Sequence, residues 1–286
     1  MSAIAVNPEI DALTISLVGL DGGVRRVIRH EYDRIPTATE VVGITSAVIA
    51  GMRMELQGLL VTGIGVAVPG QVRTRDGLVR NAPHLGWRDE PIAQLLATQT
   101  GYPVWVANDA MLGALAEFDF GAGRGRRSLV YLNGGTSGIG GGVIIEGTLL
   151  KGRAGYAGEF GHVRVSSSPA RDSAGFSGTL EAEVTREELC SVLGLGRPGP
   201  QEFASALLAD RSTKVREVVR RQLNYLGTAI AAAINVLTLP PSLEGVTITA
   251  AELGENLLSV GAAGLAFTDL LADPTIVRQD MAVAST

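Results

Sequence analysis

The chain has 286 residues, 46% hydrophobic and 19% charged, enough apolar material for a large core in one big or two ordinary domains. A formal net charge of −5, with no basic stripe interleaved with aromatics, excludes a nucleic-acid surface on these residues, because phosphate neutralisation supplies most non-specific affinity. The single cysteine, Cys190, excludes an internal disulfide and a cysteine-rich metal site. No basic-then-apolar leader opens the chain, and the most apolar late stretch, "AIAAAINVLTL" (229–239), is shorter than a bilayer span; the expected location is the cytoplasm, with no membrane.

In chain order, "AIAVN", "LTISLVG" and "VRRVIRHEY" read as three short strands, with the turn residues "LDGG" between the last two. Apolar residues at helical spacing follow in 39–56, then a buried strand in "GIGVAVPG" (63–70). "VWVAND" (104–109) is another strand running into the alanine-rich helix "AMLGALAEF". The three-strand theme recurs in "SLVYLN", "GIGGGVIIEG" and "TLLKG" (128–152), which predicts duplicated α/β lobes, each continuing into helices and further strands. A long helix is predicted over 214–237, then a strand "VTITA" (246–250) and a closing helix near 256–272.

Three constellations carry candidate chemistry. Asn108 and Asp109 sit at a strand-to-helix junction, where either caps the helix or where the pair grips a hydroxyl, with Asp109 as a general base. The run "NGGTSGIGGG" (133–142) reads as a tight hairpin or as a phosphate cradle built from Gly134, Gly135, Thr136 and Gly138. Glu159 and His162 of "AGEFGH" are three apart, so one helical turn places them on one face.

The block "GIGGGVIIEGTLLKGRAGYAGEFGHVRV" (138–165) closely resembles the signature of the ROK family, named for repressors, open reading frames and sugar kinases. "VANDAMLGALAE", "VAVPGQV" and "NAPHLGW" are similar to its other blocks, and "GAAGLAFTDLLADPTIV" (261–277) is similar to the ends of actinobacterial ROK regulators. The resemblance implies an α/β, actin-like (ribonuclease H-like) fold of two lobes with a sugar cleft. It puts one lobe at 1–107 plus about 267–286 and the other at 108–266. It also implies sugar contacts from Asn108, Asp109, Glu159, His162 and Glu181, with Asp109 the catalytic base in a kinase member.

Departures from the family pattern bear on function. Kinase members open with a phosphate loop D-x-G-G-T-K, which falls here on "NPEIDA" (7–12): Asn7 replaces the metal-side Asp, Glu9 and Ile10 the glycines, and Ala12 the Lys. Positioned cations and backbone donors supply nearly all of phosphoryl-transfer catalysis, so their joint loss implies a vestigial phosphate loop and no catalytic residue. The adenosine-side glycines expected near residue 245 are also missing from "INVLTLPPSLEGVTITAAELG". The family's three zinc cysteines, which complete a Cys₃His site with the His of "GH", fall on Asp172, Ala174 and Thr179. Zinc is therefore expected to be absent, and residues 166–178 to be more mobile than the rest.

The leading expectation is a sugar-sensing effector domain of a ROK-type regulator, its kinase activity lost. Such a chain needs no cofactor, works as a homodimer or higher oligomer, and meets DNA only through a domain outside it. One alternative is an ATP- and Mg-dependent kinase for a hexose or N-acetylhexosamine. The other is a dimeric scaffold that binds no sugar, favoured by His84 where family members usually carry Asn.

Overall fold

The computed structural model describes residues 1–135, 138–153, 155–196, 198–237 and 246–273. Its strands are β1 (Ser2–Pro8), β2 (Ala12–Gly19), β3 (Val24–Glu31), β4 (Val61–Val68), β5 (Gln71–Arg73), β6 (Leu78–Ala82), β7 (Trp87–Glu90), β8 (Val104–Asn108), β9 (Leu129–Gly135), β10 (Gly138–Ile145) and β11 (Thr148–Leu149). Its helices are α1 (Ala38–Gly51), α2 (Arg53–Leu56), α3 (Ile92–Thr100), α4 (Asp109–Phe120), α5 (Leu180–Glu183), α6 (Arg186–Leu193), α7 (Pro200–Ala209), α8 (Thr213–Leu237) and α9 (Leu257–Ala272). Among the described residues no helix is long and apolar enough to cross a membrane.

The chain divides into two compact units: Met1–Tyr131 with Gly142–Gly158 and Ile248–Thr286, and Leu132–Gly141 with Glu159–Thr247. The first holds a mixed five-stranded sheet, order β3-β2-β1-β4-β8, antiparallel across β3-β2-β1 and parallel across β1-β4-β8. Side chains alternate faces along a strand, so a strand covered on both faces must be apolar throughout. β1 follows this over its centre: all seven residues are buried, with the polar Ser2 and Asn7 near its ends, Ile4 and Val6 in a cluster with α1 and α3, and Ala3 and Ala5 in a second cluster with α9.

The two faces differ in kind. On the first, Val41, Val42 and Ile49 of α1 and Ile92 and Leu96 of α3 fill a core of large side chains. α1 starts at a capping box, in which the Thr37 hydroxyl accepts from Glu40 N–H and Glu40 accepts from Thr37 N–H. On the second, alanines at 3, 5, 67 and 107 leave room for the small-residue helix "GAAGLAF" of α9 to lie close to the sheet, beside Leu112 of α4. Complete burial of Leu112 contributes about 1.5–3 kcal/mol. Glu117, also on α4, is 1% exposed, and its carboxylate accepts the N–H groups of Ala122, Glu252 and Leu253, which fastens the entry to α9. β5, β6 and β7 form a small antiparallel sheet in the same unit.

The second unit is built mainly on α8. Val215, Val218, Gln222, Ala229 and Ala233 recur at helical spacing and make its buried face. α8 meets α6 through Gln222, whose amide donates to Thr185 O and Glu188 Oε2, and through an Arg221–Glu188 ion pair. Arg186 lies 4.7 Å over the Phe203 ring of α7 and donates to Pro198 O.

Four features differ from the sequence reading. α4 and all of α9 belong with the first unit, because both cover its sheet; the expected division at 107/108 puts α4 in the other lobe and that at 266/267 runs through α9. "VTITA" (246–250) is not a strand: its residues are exposed and pair with no strand among the described residues, and β-branched composition makes a strand only where an edge receives it. After β11 the described residues contain only two isolated bridges, Arg164–Thr179 and Arg171–Ser177, so the second three-strand opening does not continue into a further sheet. β5 to β7, α3 and α7 were not anticipated, being short or weakly periodic. The expected adenosine-side segment near residue 245 lies partly outside the described residues.

Candidate functional site

The candidate residues fall into two sets. The first stands where the parallel strands β4 and β8 end side by side, Val68 opposite Asn108. Ligand sites form at the carboxyl ends of parallel strands because the following helix starts there with unsatisfied N–H groups. Asn108 caps α4: its side-chain oxygen accepts from Met111 N–H at 3.1 Å, while its amide donates to Gly70 O at 3.0 Å. Both ends of this amide hold the fold, as the capping reading required. Asp109 opens α4, and its carboxylate accepts from Ala110 N–H at 2.8 Å. The Tyr131 phenol is pushed up to about 12 by burial and by the charges of Glu117 and Asp109. His84 lies in the short helical turn Pro83–Leu85, closed by Gly86 in the left-handed region.

The second set is contained in the other unit. Residues Phe160–His162 form one 3₁₀ turn with Glu159 at its N-terminal edge. This turn brings His162 Nε2 to 3.8 Å from Glu159 Oε2. Gly161 permits it, because a Cβ there would overlap the Ile139 carbonyl. Glu181 is on α5, and its Oε2 accepts from Ile139 N–H at 3.2 Å while its Oε1 accepts from the Ser173 N–H and hydroxyl. Burial raises the Glu159 carboxyl above the ordinary range; His162 opposes this and the negative charge of Glu181 adds to it. The spacing of Glu159 and His162 therefore does put two polar groups together, and Glu181 joins them electrostatically.

Among the residues of the expected phosphate loop, Gly134 and Gly135 end β9 and Gly138 begins β10; Thr136 lies outside the described residues. Gly138 has φ of +105°, and a Cβ there would overlap Glu181 Oε2. The positive φ and the approach of Glu181 both require a glycine at this position.

The sequence reading overlooked the role of Asp172. Its side chain is fully buried, and Oδ2 accepts from His162 Nδ1 at 2.9 Å and from the Thr179 hydroxyl at 2.9 Å. Oδ1 accepts the N–H groups of Ala174 at 3.0 Å and Phe176 at 2.8 Å. Burial pushes this carboxyl up, but the bonds from His162, Thr179 and Phe176 outweigh it and hold it below the ordinary range. Residues 166–178 are accordingly tied down: Ser166 N–H donates to Gly178 O, Gly178 N–H to Ala170 O, and Asp172 N–H to Phe176 O. No local periodicity marks Asp172; only its offset of ten from His162, a spacing set by the folded loop, would have pointed to it.

The fold and these polar sets define a mixed α/β protein with the actin-like architecture of sugar kinases and their relatives. Structures of that architecture are its neighbours: a ROK glucokinase from Streptomyces griseus, solved with glucose and AMPPNP, superposes with a TM-score of 0.70 at 25% identity over 93% of this chain and 99% of its own. A ROK family transcriptional regulator, a homolog of the E. coli MLC protein, gives a TM-score of 0.70 at 27% identity over 82% of this chain and 62% of its own. The chain belongs to the ROK family, whose sequence profile matches residues 10–241. A glucokinase from Streptomyces coelicolor is 32% identical over 62% of this chain, and a xylose repressor from Caldicellulosiruptor bescii 37% identical over 46% of it. The chain spans 55% of the first and 33% of the second. Regulators and sugar kinases are thus both among its relatives.

Proposed function

We propose that this chain is the sugar-sensing effector part of a ROK-type transcriptional regulator and transfers no phosphoryl group. The observation that carries the reading is the turn between β1 and β2. Glu9 and Asp11 occupy it, and both pair with Arg29, at 3.0 and 3.9 Å; Glu31 stands 3.9 Å from the same guanidinium. A phosphate cradle needs convergent N–H donors and uncommitted positive charge. This turn presents carboxylates, and the guanidinium that faces them, Arg29 of β3, is shared among three.

The sugar-side residues retain the opposite character. Asp109, Glu159 and Glu181 supply acceptors, Asn108 an amide and His162 a ring, matching a pyranose whose hydroxyls both donate and accept. Charge-assisted hydrogen bonds of this kind contribute ~1.5–3 kcal/mol each, so two or three distinguish epimers without ATP. The ligand is a hexose or hexose derivative bound in the micromolar to millimolar range, the protein acts as a homodimer or higher oligomer in the cytoplasm, and DNA is reached through a domain outside this chain. Similarity to the Streptomyces coelicolor glucokinase favours a second reading, an ATP-dependent sugar kinase.

Coupled ADP-release measurements over common hexoses and N-acetylhexosamines decide between them. The regulator reading expects no turnover, together with calorimetric heat from one sugar that Asp109→Ala or Glu159→Ala abolishes. Turnover of ~1 s⁻¹ or more, the ordinary enzymatic range, overturns it in favour of the kinase. If no sugar binds, a scaffold without a ligand takes its place.

A further inference from the structure

The zinc site of the family resemblance requires a tetrahedral donor set around His162, and these residues do not supply one. Ala174 has no donor atom. The Thr179 hydroxyl accepts from Ala182 N–H and donates to Asp172. The four acceptor positions of the Asp172 carboxylate are filled by four donors: His162 Nδ1, Thr179 Oγ1, Ala174 N–H and Phe176 N–H. A metal would have to displace at least one of them and take the place of the proton on His162 Nδ1.

From this geometry we infer that Asp172 is a positioning residue that replaces the metal and, in doing so, reverses the hydrogen-bonding polarity of the His162 ring toward a ligand. A metal on Nδ1 takes that lone pair and leaves the proton on Nε2, so the ring offers a donor. An ionised carboxylate on Nδ1 accepts only; the proton therefore sits on Nδ1, and Nε2 of the neutral ring offers a lone pair. Nε2 is 3.8 Å from Glu159, beyond hydrogen-bond reach, and the His162 side chain is 29% exposed, so this lone pair is available. Glu159, Glu181 and Nε2 then form an acceptor-only end of the site, where a ligand must present hydrogen donors, hydroxyl or ammonium, and where an O-methylated or carbonyl group is refused.

The inference rests on the sugar-site reading only for its consequence on ligands; the tautomer itself is measured without any ligand. The protein contains three histidines, so His30→Gln and His84→Gln assign the ring signals in a long-range ¹H–¹⁵N spectrum of labelled protein. Recorded at a pH that leaves the ring neutral, His162 is expected to show a protonated Nδ1 and a bare Nε2. In Asp172→Asn the amide oxygen stays at Oδ1, where two backbone N–H groups need an acceptor, and the NH₂ group takes the Oδ2 place and donates to Nδ1. The ring proton is then expected to move to Nε2, and any sugar bound by the unsubstituted protein to bind ~10-fold more weakly or worse, a cost of about 1.4 kcal/mol. A proton on Nε2 of the unsubstituted protein overturns the inference even if the variant fails to fold. So does an unchanged tautomer in a folded Asp172→Asn, or one zinc per chain in protein purified with zinc present. Absence of binding by glucose, xylose and N-acetylglucosamine would instead fall on the sensing reading and leave the tautomer result standing.

Discussion

In the turn at residues 7–12 the carboxylates of Glu9 and Asp11 stand at the surface, 40% and 78% exposed, and share one arginine. In the segment from Glu159 to Glu181, Asp172 and Glu181 turn inward and accept backbone and side-chain donors from residues up to 42 positions away. The difference separates charge that decorates the fold from charge that closes it. Glycines and a lysine in a phosphate loop serve only a ligand, so exchanging them costs the folded chain little. Asp172 and Glu181 hold the backbone and side chains of the loop around His162, so exchanging either is expected to cost the fold itself.

The largest effect expected from this comparison is at Gly161. A Cβ there overlaps the Ile139 carbonyl, and backbone cannot swing aside as a long side chain can, so Gly161→Ala should lose about 3 kcal/mol. Urea denaturation measures it; a loss under ~0.5 kcal/mol would mean that the 3₁₀ turn is not held as described.

Next comes Asp172→Ala, which strands the His162 and Thr179 donors and is expected to cost ~1–3 kcal/mol. Its pH dependence has a definite sign. The folded carboxyl lies below its ordinary value of 3.8, so its stabilisation is complete above that value and is lost as pH falls through the lower folded one. Acid unfolding followed by circular dichroism should be less steep below about pH 4 in Asp172→Ala than in the unsubstituted protein.

Glu159 should behave in the reverse sense. Its carboxyl is raised above the ordinary 4.5, so the stability linked to it is complete below that value and declines as pH rises through the folded one. Glu159→Gln should therefore stabilise the protein at pH 7 and, under the proposed function, weaken sugar binding. Because the side chain is 44% exposed, solvent screening keeps the gain under ~1 kcal/mol. A destabilised Glu159→Gln would place this residue with Asp172 among the groups that close the fold.

The smallest effect belongs to the turn. Glu9→Ala removes an exposed ion pair with Arg29 and should change stability by no more than ~0.5 kcal/mol. A larger loss would erase the contrast between the two regions.

Much of this protein follows from sequence alone. The apolar runs of β1, β2 and β4, the periodic face of α8 and the pairing of Glu159 with His162 all come from local spacing, since side-chain direction repeats every two residues in a strand and every 3.6 in a helix. The acidic turn at 7–12 and the absence of zinc cysteines are matters of residue identity and need no coordinates. Tertiary structure decided what depends on partners distant in sequence. "VTITA" has strand composition but no partner strand among the described residues, α4 and α9 join the first unit because its alanine-lined face admits them, and Asp172 meets the His162 ring because a loop of irregular backbone folds it there. Local sequence sets which way a side chain points; only the closed chain determines what it meets.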